Sequence, residues 1–163
     1  MKYTADPLVA RWRRFWRLPG SDRTVLVQAT LLLPLTGLGL RVLGFRRWKK
    51  LLERVGTRSQ PHARLPPGAA LDQGRRIARA VHSAELHGPG KPNCLQRSIV
   101  LWWLLRREGV GAELHIGARK QSENFEAHAW VELNGCVLND SADVHKHYSR
   151  FDAPVAASEA DFH

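Results

Sequence analysis

Cysteine, histidine and aspartate, the side chains that cysteine hydrolases combine, occur in that order in the second half of the chain. Cys94 is followed by His128 and then by Asp140. In such enzymes a thiolate attacks a carbonyl carbon, an imidazole transfers the proton and an acid orients the imidazole. Each residue alone is more often structural than catalytic, but the ordered set makes them candidates for nucleophile, general base and orienting residue.

The candidate nucleophile falls at the start of a predicted helix, NCLQRSIVLWWLLRREG. Asn93 is a good N-cap, Gln96 three positions later completes a variant of the capping box, and Gly109 ends the helix. Cys94 is then the first helical residue, where unpaired N–H groups and the helix dipole favour a negatively charged sulfur. The same region can stabilise an oxyanion, so Asn93 and the Cys94 amide are candidate oxyanion donors.

The elements around this helix predict an α+β domain. An apolar face at helical spacing predicts a helix over residues 70–86, before the Cys94 helix. The later segments ELHIGA, AHAWVEL and CVLND alternate in hydrophobicity as strands do, with Asn134-Gly135 as the turn between the last two. The order of two helices and then three strands predicts a catalytic helix packed on an antiparallel sheet.

The turn decides whether the candidate base and its orienting acid can meet. A two-residue turn would place His128 and Asp140 on opposite faces of the hairpin. A three-residue loop ending at Gly135 would place them directly opposite each other, so the chemistry predicts a bulge at Gly135. Trp130 and Leu138 would then share their face and pack on the helix that carries the candidate nucleophile.

Charge divides the chain into a basic segment, residues 1–60, and a neutral domain, residues 61–163. The first contains 13 Lys/Arg and 3 Asp/Glu, the second 12 of each, so the first accounts for the whole formal charge of +10. The segment is predicted to be helical, with a break near Pro34, and its apolar run is shorter than a typical membrane span. Acidic protein partners, membranes and nucleic acids all fit its charge. We favour packing on the domain combined with a docking surface.

The motifs PNCLQRSIVLWWLLRREG, LHIGA, EAHAWVELNG and VLND resemble the leader peptidase (B protein) of lasso-peptide biosynthesis, a transglutaminase-like cysteine protease. The resemblance covers residues 70–142. It implies a transglutaminase/papain-like fold in which Cys94, His128 and Asp140 are catalytic. It also implies that the enzyme removes the leader from a ribosomally made precursor peptide, and that a partner cyclase similar to asparagine synthetase then closes the ring.

Further expectations concern partners and surroundings. Since the first 60 residues lack alternating strands, we expect leader recognition to lie on a separate protein. We expect a cytoplasmic enzyme without metal or cofactor that binds neither nucleic acid nor membrane. Cys136 is predicted to be a small buried residue, and His145 and His147 are predicted to lie at the surface.

Two alternatives remain open from the sequence. One is another transglutaminase-like peptidase or acyltransferase, because the same triad serves water and amine acceptors alike. The other is a non-catalytic binding module that uses the basic arm. Reactivity of Cys94 toward a peptide electrophile distinguishes the second alternative from the first.

Overall fold

The computed structural model describes Trp16 and residues 19–56, 66–121 and 124–150. Within these ranges the elements are α1 Gly20–Gly56, α2 Pro67–His87, α3 Cys94–Arg107, β1 Glu113–Gln121, β2 Asn124–Leu133, β3 Cys136–Val137, α4 Val144–His147 and β4 Ser149–Arg150. The linker and predicted boundary at residue 60, and most of the basic aromatic stretch before α1, lie outside the described residues. The α+β class and the antiparallel sheet are confirmed.

The sheet has the order β3-β2-β1-β4, and every neighbouring pair is antiparallel. Its main component is the long β1–β2 hairpin, in which Gly117 pairs with His128 and His115 with Trp130. The short strand β4 adds to the free edge of β1. Because side chains alternate along a strand, each of these cross-strand pairs lies on a single face of the sheet.

One hydrophobic core joins the three long helices to one face of the sheet. It contains Val25, Ala29, Leu33, Trp48 and Leu52 of α1, Ile77 and Val81 of α2, Ile99, Leu101 and Leu105 of α3, and Leu114, Val131 and Leu133 of the sheet. The helix α1 therefore packs on the rest of the molecule, and its removal would expose a large part of the core to water.

The predicted break in the N-terminal helix is wrong in position. Pro34 lies inside α1, and the helix is interrupted at Gly44, which has φ 73° and ψ 170°. Residues with a Cβ rarely adopt such a positive φ, so glycine marks the break. Beyond it the ring of Trp48 covers Gly39 so closely that an added Cβ there would collide with the ring. In a straight helix these residues would be about 13 Å apart along the axis, so the chain turns sharply at Gly44.

A row of apolar side chains on α1 remains in contact with solvent. They recur every three or four residues and are Val27, Leu31, Leu35, Leu38 and Val42. By length and composition α1 would also suffice to cross a membrane, a criterion that core helices and signal sequences share, and 28% of its most apolar window is buried. We call these five residues the exposed α1 stripe.

The turn between β2 and β3 differs from the predicted three-residue loop. Leu133 pairs with Cys136, which leaves a two-residue turn. Asn134 and Gly135 have φ values of 50° and 78°, the two positive φ values of a type I′ turn. This turn matches the right-handed twist of the paired strands, so the Asn-Gly preference prevails over the predicted bulge.

Candidate active site

The start of α3 has the predicted capping box. Asn93 Oδ1 accepts from the Gln96 N–H, and Gln96 Oε1 accepts from the Asn93 N–H, each at 2.9 Å. The backbone N–H of Asn93 is therefore occupied. The N–H groups of Cys94 and Leu95 have no partner among the described residues, as expected for a first helical turn. Cys94 itself is half-buried and carries a free thiol.

His128 and Asp140 form a direct imidazole–carboxylate pair. His128 Nε2 lies 2.5 Å from Asp140 Oδ2, and both side chains are mostly shielded from solvent. Burial raises the pKa of Asp140, but hydrogen bonds from His128 and from the Ser141 amide outweigh it and bring the pKa below its ordinary value of 3.8. With Nε2 engaged, Nδ1 is the ring nitrogen left without a partner among the described residues.

The pair forms despite the two-residue turn because the strand register is lost after Leu138. The Leu138 N–H still donates to the Val131 carbonyl at 2.9 Å, as the ladder requires. The Val131 N–H, however, donates to Asn139 Oδ1 at 2.8 Å. The Asn139 side chain thus replaces a backbone acceptor, and Asp140 is free to reach His128 instead of following the hairpin alternation.

The same asparagine connects the strands to α3. Asn139 Nδ2 donates to Ser98 Oγ at 2.9 Å, and the Ser98 hydroxyl donates to the Ala129 carbonyl at 2.8 Å. Ser98 is fully buried. We call Ser98, Asn139, Ala129 and Val131 the helix–strand joint.

The joint holds together α3 and β2, the two elements that carry Cys94 and His128. Along α3, Cys94 lies one helical turn before Ser98, and along β2, His128 directly precedes Ala129. Side chains one turn apart on a helix are about 5–6 Å from each other. Of the three candidates the structure joins His128 to Asp140 directly, whereas no hydrogen bond links the Cys94 sulfur to His128.

His128 lies on the face of the sheet opposite the hydrophobic core, among aromatic rings. It stacks on Tyr148, with ring centroids 4.8 Å apart, and next to Trp130 at 6.3 Å. The fully buried Trp130 donates its indole N–H to Glu132 and is also stacked on His115. The expectation that Trp130 packs on α3 is wrong: alternation along β2 assigns the core face to Val131, and Leu138 packs on that core without Trp130.

Tyr148 is fixed by charged neighbours as well as by stacking. Its hydroxyl donates to Glu126 at 3.1 Å, and the Arg119 guanidinium lies 4.8 Å above its ring. Burial, followed by the hydrogen bond to Glu126, raises the pKa of Tyr148, while the Arg119 and Tyr148 hydrogen bonds lower the pKa of Glu126. Tyr148 therefore stays neutral and holds one face of the His128 ring.

Sequence reasoning missed Asn139, Tyr148 and Gly117. The motif VLND contains Asn139, yet asparagine near a strand end is usually a turn residue, so its role had no distinctive signal. Gly117 pairs with His128, and a Cβ there would lie 3.0 Å from the Trp130 ring and 2.9 Å from the Ser149 carbonyl. A glycine inside a predicted strand is the one available signal, since it indicates close approach of another group.

Two further expectations can be compared with the structure. Cys136 is exposed, so its predicted burial is wrong: the two-residue turn places it at the end of the edge strand β3. His145 and His147 are exposed as predicted. Over the described ranges, no group of three or more His, Cys, Asp or Glu side chains is arranged to hold a metal ion.

Comparison with known proteins identifies the family. The profile described as "Transglutaminase-like superfamily" matches residues 38–151. The chain is also similar to the microcin J25-processing protein McjB of Escherichia coli, with 39% identity over 54 residues, which are 33% of this chain and 25% of that protein. No solved structure matches significantly. Both matches confirm the resemblance drawn from the motifs. This chain belongs to the transglutaminase-like superfamily.

Proposed function

We propose that the protein is a cysteine peptidase that removes the leader from a ribosomally synthesised lasso precursor peptide. The observation that carries the proposal is the His128–Asp140 pair, tied through the helix–strand joint to a helix that begins at Cys94. Family membership supports the reaction class, and the similarity to a microcin-processing protein supports peptide processing as the task.

In the proposed mechanism Cys94 attacks the last carbonyl of the leader as a thiolate. Asp140 holds His128 through Nε2, which leaves Nδ1 to exchange a proton with the sulfur and with the leaving amine. Collapse of the tetrahedral intermediate breaks the peptide bond, and the protonated amine departs as the N-terminus of the core peptide. Water activated by His128 then hydrolyses the thioester and restores Cys94.

The oxyanion of that intermediate needs donors near the sulfur. The backbone N–H of Cys94 and the side-chain amide of Asn93 are the donors we propose, because the Asn93 backbone N–H is engaged by Gln96. In the absence of substrate, nucleophile–base contacts are often long and shorten in the substrate complex. Substrate binding is therefore expected to bring the Cys94 sulfur and His128 Nδ1 within hydrogen-bonding distance.

The proposed partners follow from the same family role. The precursor is the substrate, a separate protein recognises the leader, and a cyclase similar to asparagine synthetase uses the freed amine, all in the cytoplasm. The exposed α1 stripe supports docking of the recognition protein, since apolar rows on a soluble surface mark interaction sites. Replacing Leu31 and Leu38, which are 65% and 59% exposed, with serine should preserve folding but weaken cleavage that depends on the recognition protein.

Incubation of the purified protein with the cognate precursor and recognition protein tests the function, with products identified by mass. Cys94→Ala should abolish cleavage, and Cys136→Ala should leave it unchanged because Cys136 is exposed at the far end of the β2–β3 turn. Cleavage by Cys94→Ala at the wild-type rate would refute the mechanism. Transfer of the leader to an added amine rather than to water would instead assign the protein to the acyltransferase alternative.

A further inference from the structure

A groove of about 410 Å³ opens beside Asp140, one of the proposed catalytic residues. Its walls come from α2, from α3 and from the segment after β3, and its lining includes Arg75, Arg79, Arg97, Val81, Leu138 and Asp140. The volume lies in the range of sites that enclose a small ligand or a few side chains. Asn139 of the helix–strand joint also lines the groove.

Two of its walls connect it to the chemistry. Arg97 follows Cys94 by three residues on α3, so the two side chains are neighbours on the helix surface. On the opposite wall, Asp140 is the residue that binds His128. A peptide whose scissile carbonyl lies at Cys94 would therefore place residues close to the scissile bond in this groove.

The charges of the groove are only partly compensated. Arg97 donates to both carboxylate oxygens of Glu85, at 3.0 and 3.1 Å, and Asp140 is paired with His128. Arg75 and Arg79 are exposed and have no acidic partner among the described residues. They lie one turn apart on α2, where like charges repel each other. The groove thus presents two unpaired guanidinium groups beside an apolar floor that includes Val81 and Leu138.

We propose that this groove binds an acidic residue of the precursor peptide, with Arg75 and Arg79 as its ligands. The inference rests on the proposed peptidase function. Guanidinium groups pair with carboxylates through two parallel hydrogen bonds, which fixes geometry as well as charge. The apolar floor accommodates the aliphatic part of the bound peptide. The enzyme therefore prefers Asp or Glu at one fixed position near the scissile bond.

The test uses a library of precursor peptides varied around the junction of leader and core, incubated with the recognition protein, with cleavage sites read by mass spectrometry. Full-length wild-type protein should enrich Asp and Glu at one position within about four residues of the cut, a reach set by the extended chain. The double variant Arg75→Glu, Arg79→Glu should lose this preference or select Lys and Arg there. For a single acidic peptide, KM should rise about 10- to 100-fold with kcat changed less than about threefold, because only binding is altered.

Lys50→Glu is the matched control, since it reverses one charge on an exposed α1 residue. Lys50 is two residues from Leu52, whose carbonyl accepts from the indole N–H of Trp103. Trp103 lies toward the end of α3 that is remote from Cys94, so Lys50 is distant from the groove. Arg75→Gln with Arg79→Gln, checked by thermal unfolding, is a second variant without reversed charge. An acidic preference that is absent in the wild type, or retained in both double variants, overturns the inference alone. Wild-type protein without Cys94-dependent cleavage overturns the proposed function and this inference together.

Discussion

Substitution of Ser98 with alanine tests how α3 is fixed to the sheet. The change removes a hydroxyl that donates to the Ala129 carbonyl and accepts from Asn139 Nδ2, in a fully buried position. Each lost bond costs about 1 kcal/mol, and a buried group left unsatisfied costs about 1–3 kcal/mol. Alanine regains about 0.5 kcal/mol of helix propensity. We expect Ser98→Ala to lower the free energy of unfolding by about 2 kcal/mol.

Urea denaturation of the single and double variants measures this cost and its coupling. Asn139→Ala also breaks two hydrogen bonds, so the cycle with Ser98→Ala should give an interaction energy of about 1 kcal/mol. Ser83→Ala on α2 is the control and should change stability by less than about 0.5 kcal/mol. If Ser98→Ala equals this control, or if the two substitutions add without coupling, the joint does not fix α3 as described.

Further predictions concern Asp140, Gly135 and Tyr148. Asp140→Asn should lower kcat/KM about 10²- to 10⁴-fold. Because the pKa of Asp140 is depressed in the fold, its carboxylate stabilises the protein above about pH 4 and this contribution is lost below it, so urea unfolding of wild type and Asp140→Asn should converge in acid. Gly135→Ala should cost about 1 kcal/mol or more, measured in the same way, because φ is 78° there. Tyr148→Leu should lower kcat/KM by removing the ring stacked on His128, whereas Tyr148→Phe should retain most activity; equal activity of both variants would contradict a role for stacking.

The sequence predicted the elements well where local chemistry determines them. The capping box at Asn93, the alternating strands and the Asn-Gly turn depend on residues close in sequence, and each appears near its predicted position. The helix break was misplaced because proline is the stronger known breaker, whereas α1 accommodates Pro34 and turns at Gly44.

The candidate site was predictable in its residues but not in its geometry. His128 and Asp140 do meet, yet through the departure of Asn139 from the ladder and not through a bulge at Gly135. The stacking of Tyr148 on His128 depends on β4 returning to the edge of β1, a long-range contact with no local sequence signal. The groove at Arg75 and Arg79 likewise depends on the packing of α2 beside α3.

The alkylation rate of Cys94 by iodoacetamide at pH 6 tests the central relation between sulfur and imidazole most directly. Cys136, an exposed free thiol at the end of the β2–β3 turn, is the internal reference in the same digest. We predict that Cys94 reacts at least about tenfold faster than Cys136, and that His128→Ala reduces this ratio to about one, because a thiolate is the reactive species. Equal rates for both cysteines, or a fast Cys94 that His128→Ala does not slow, would contradict the proposed nucleophile–base pair.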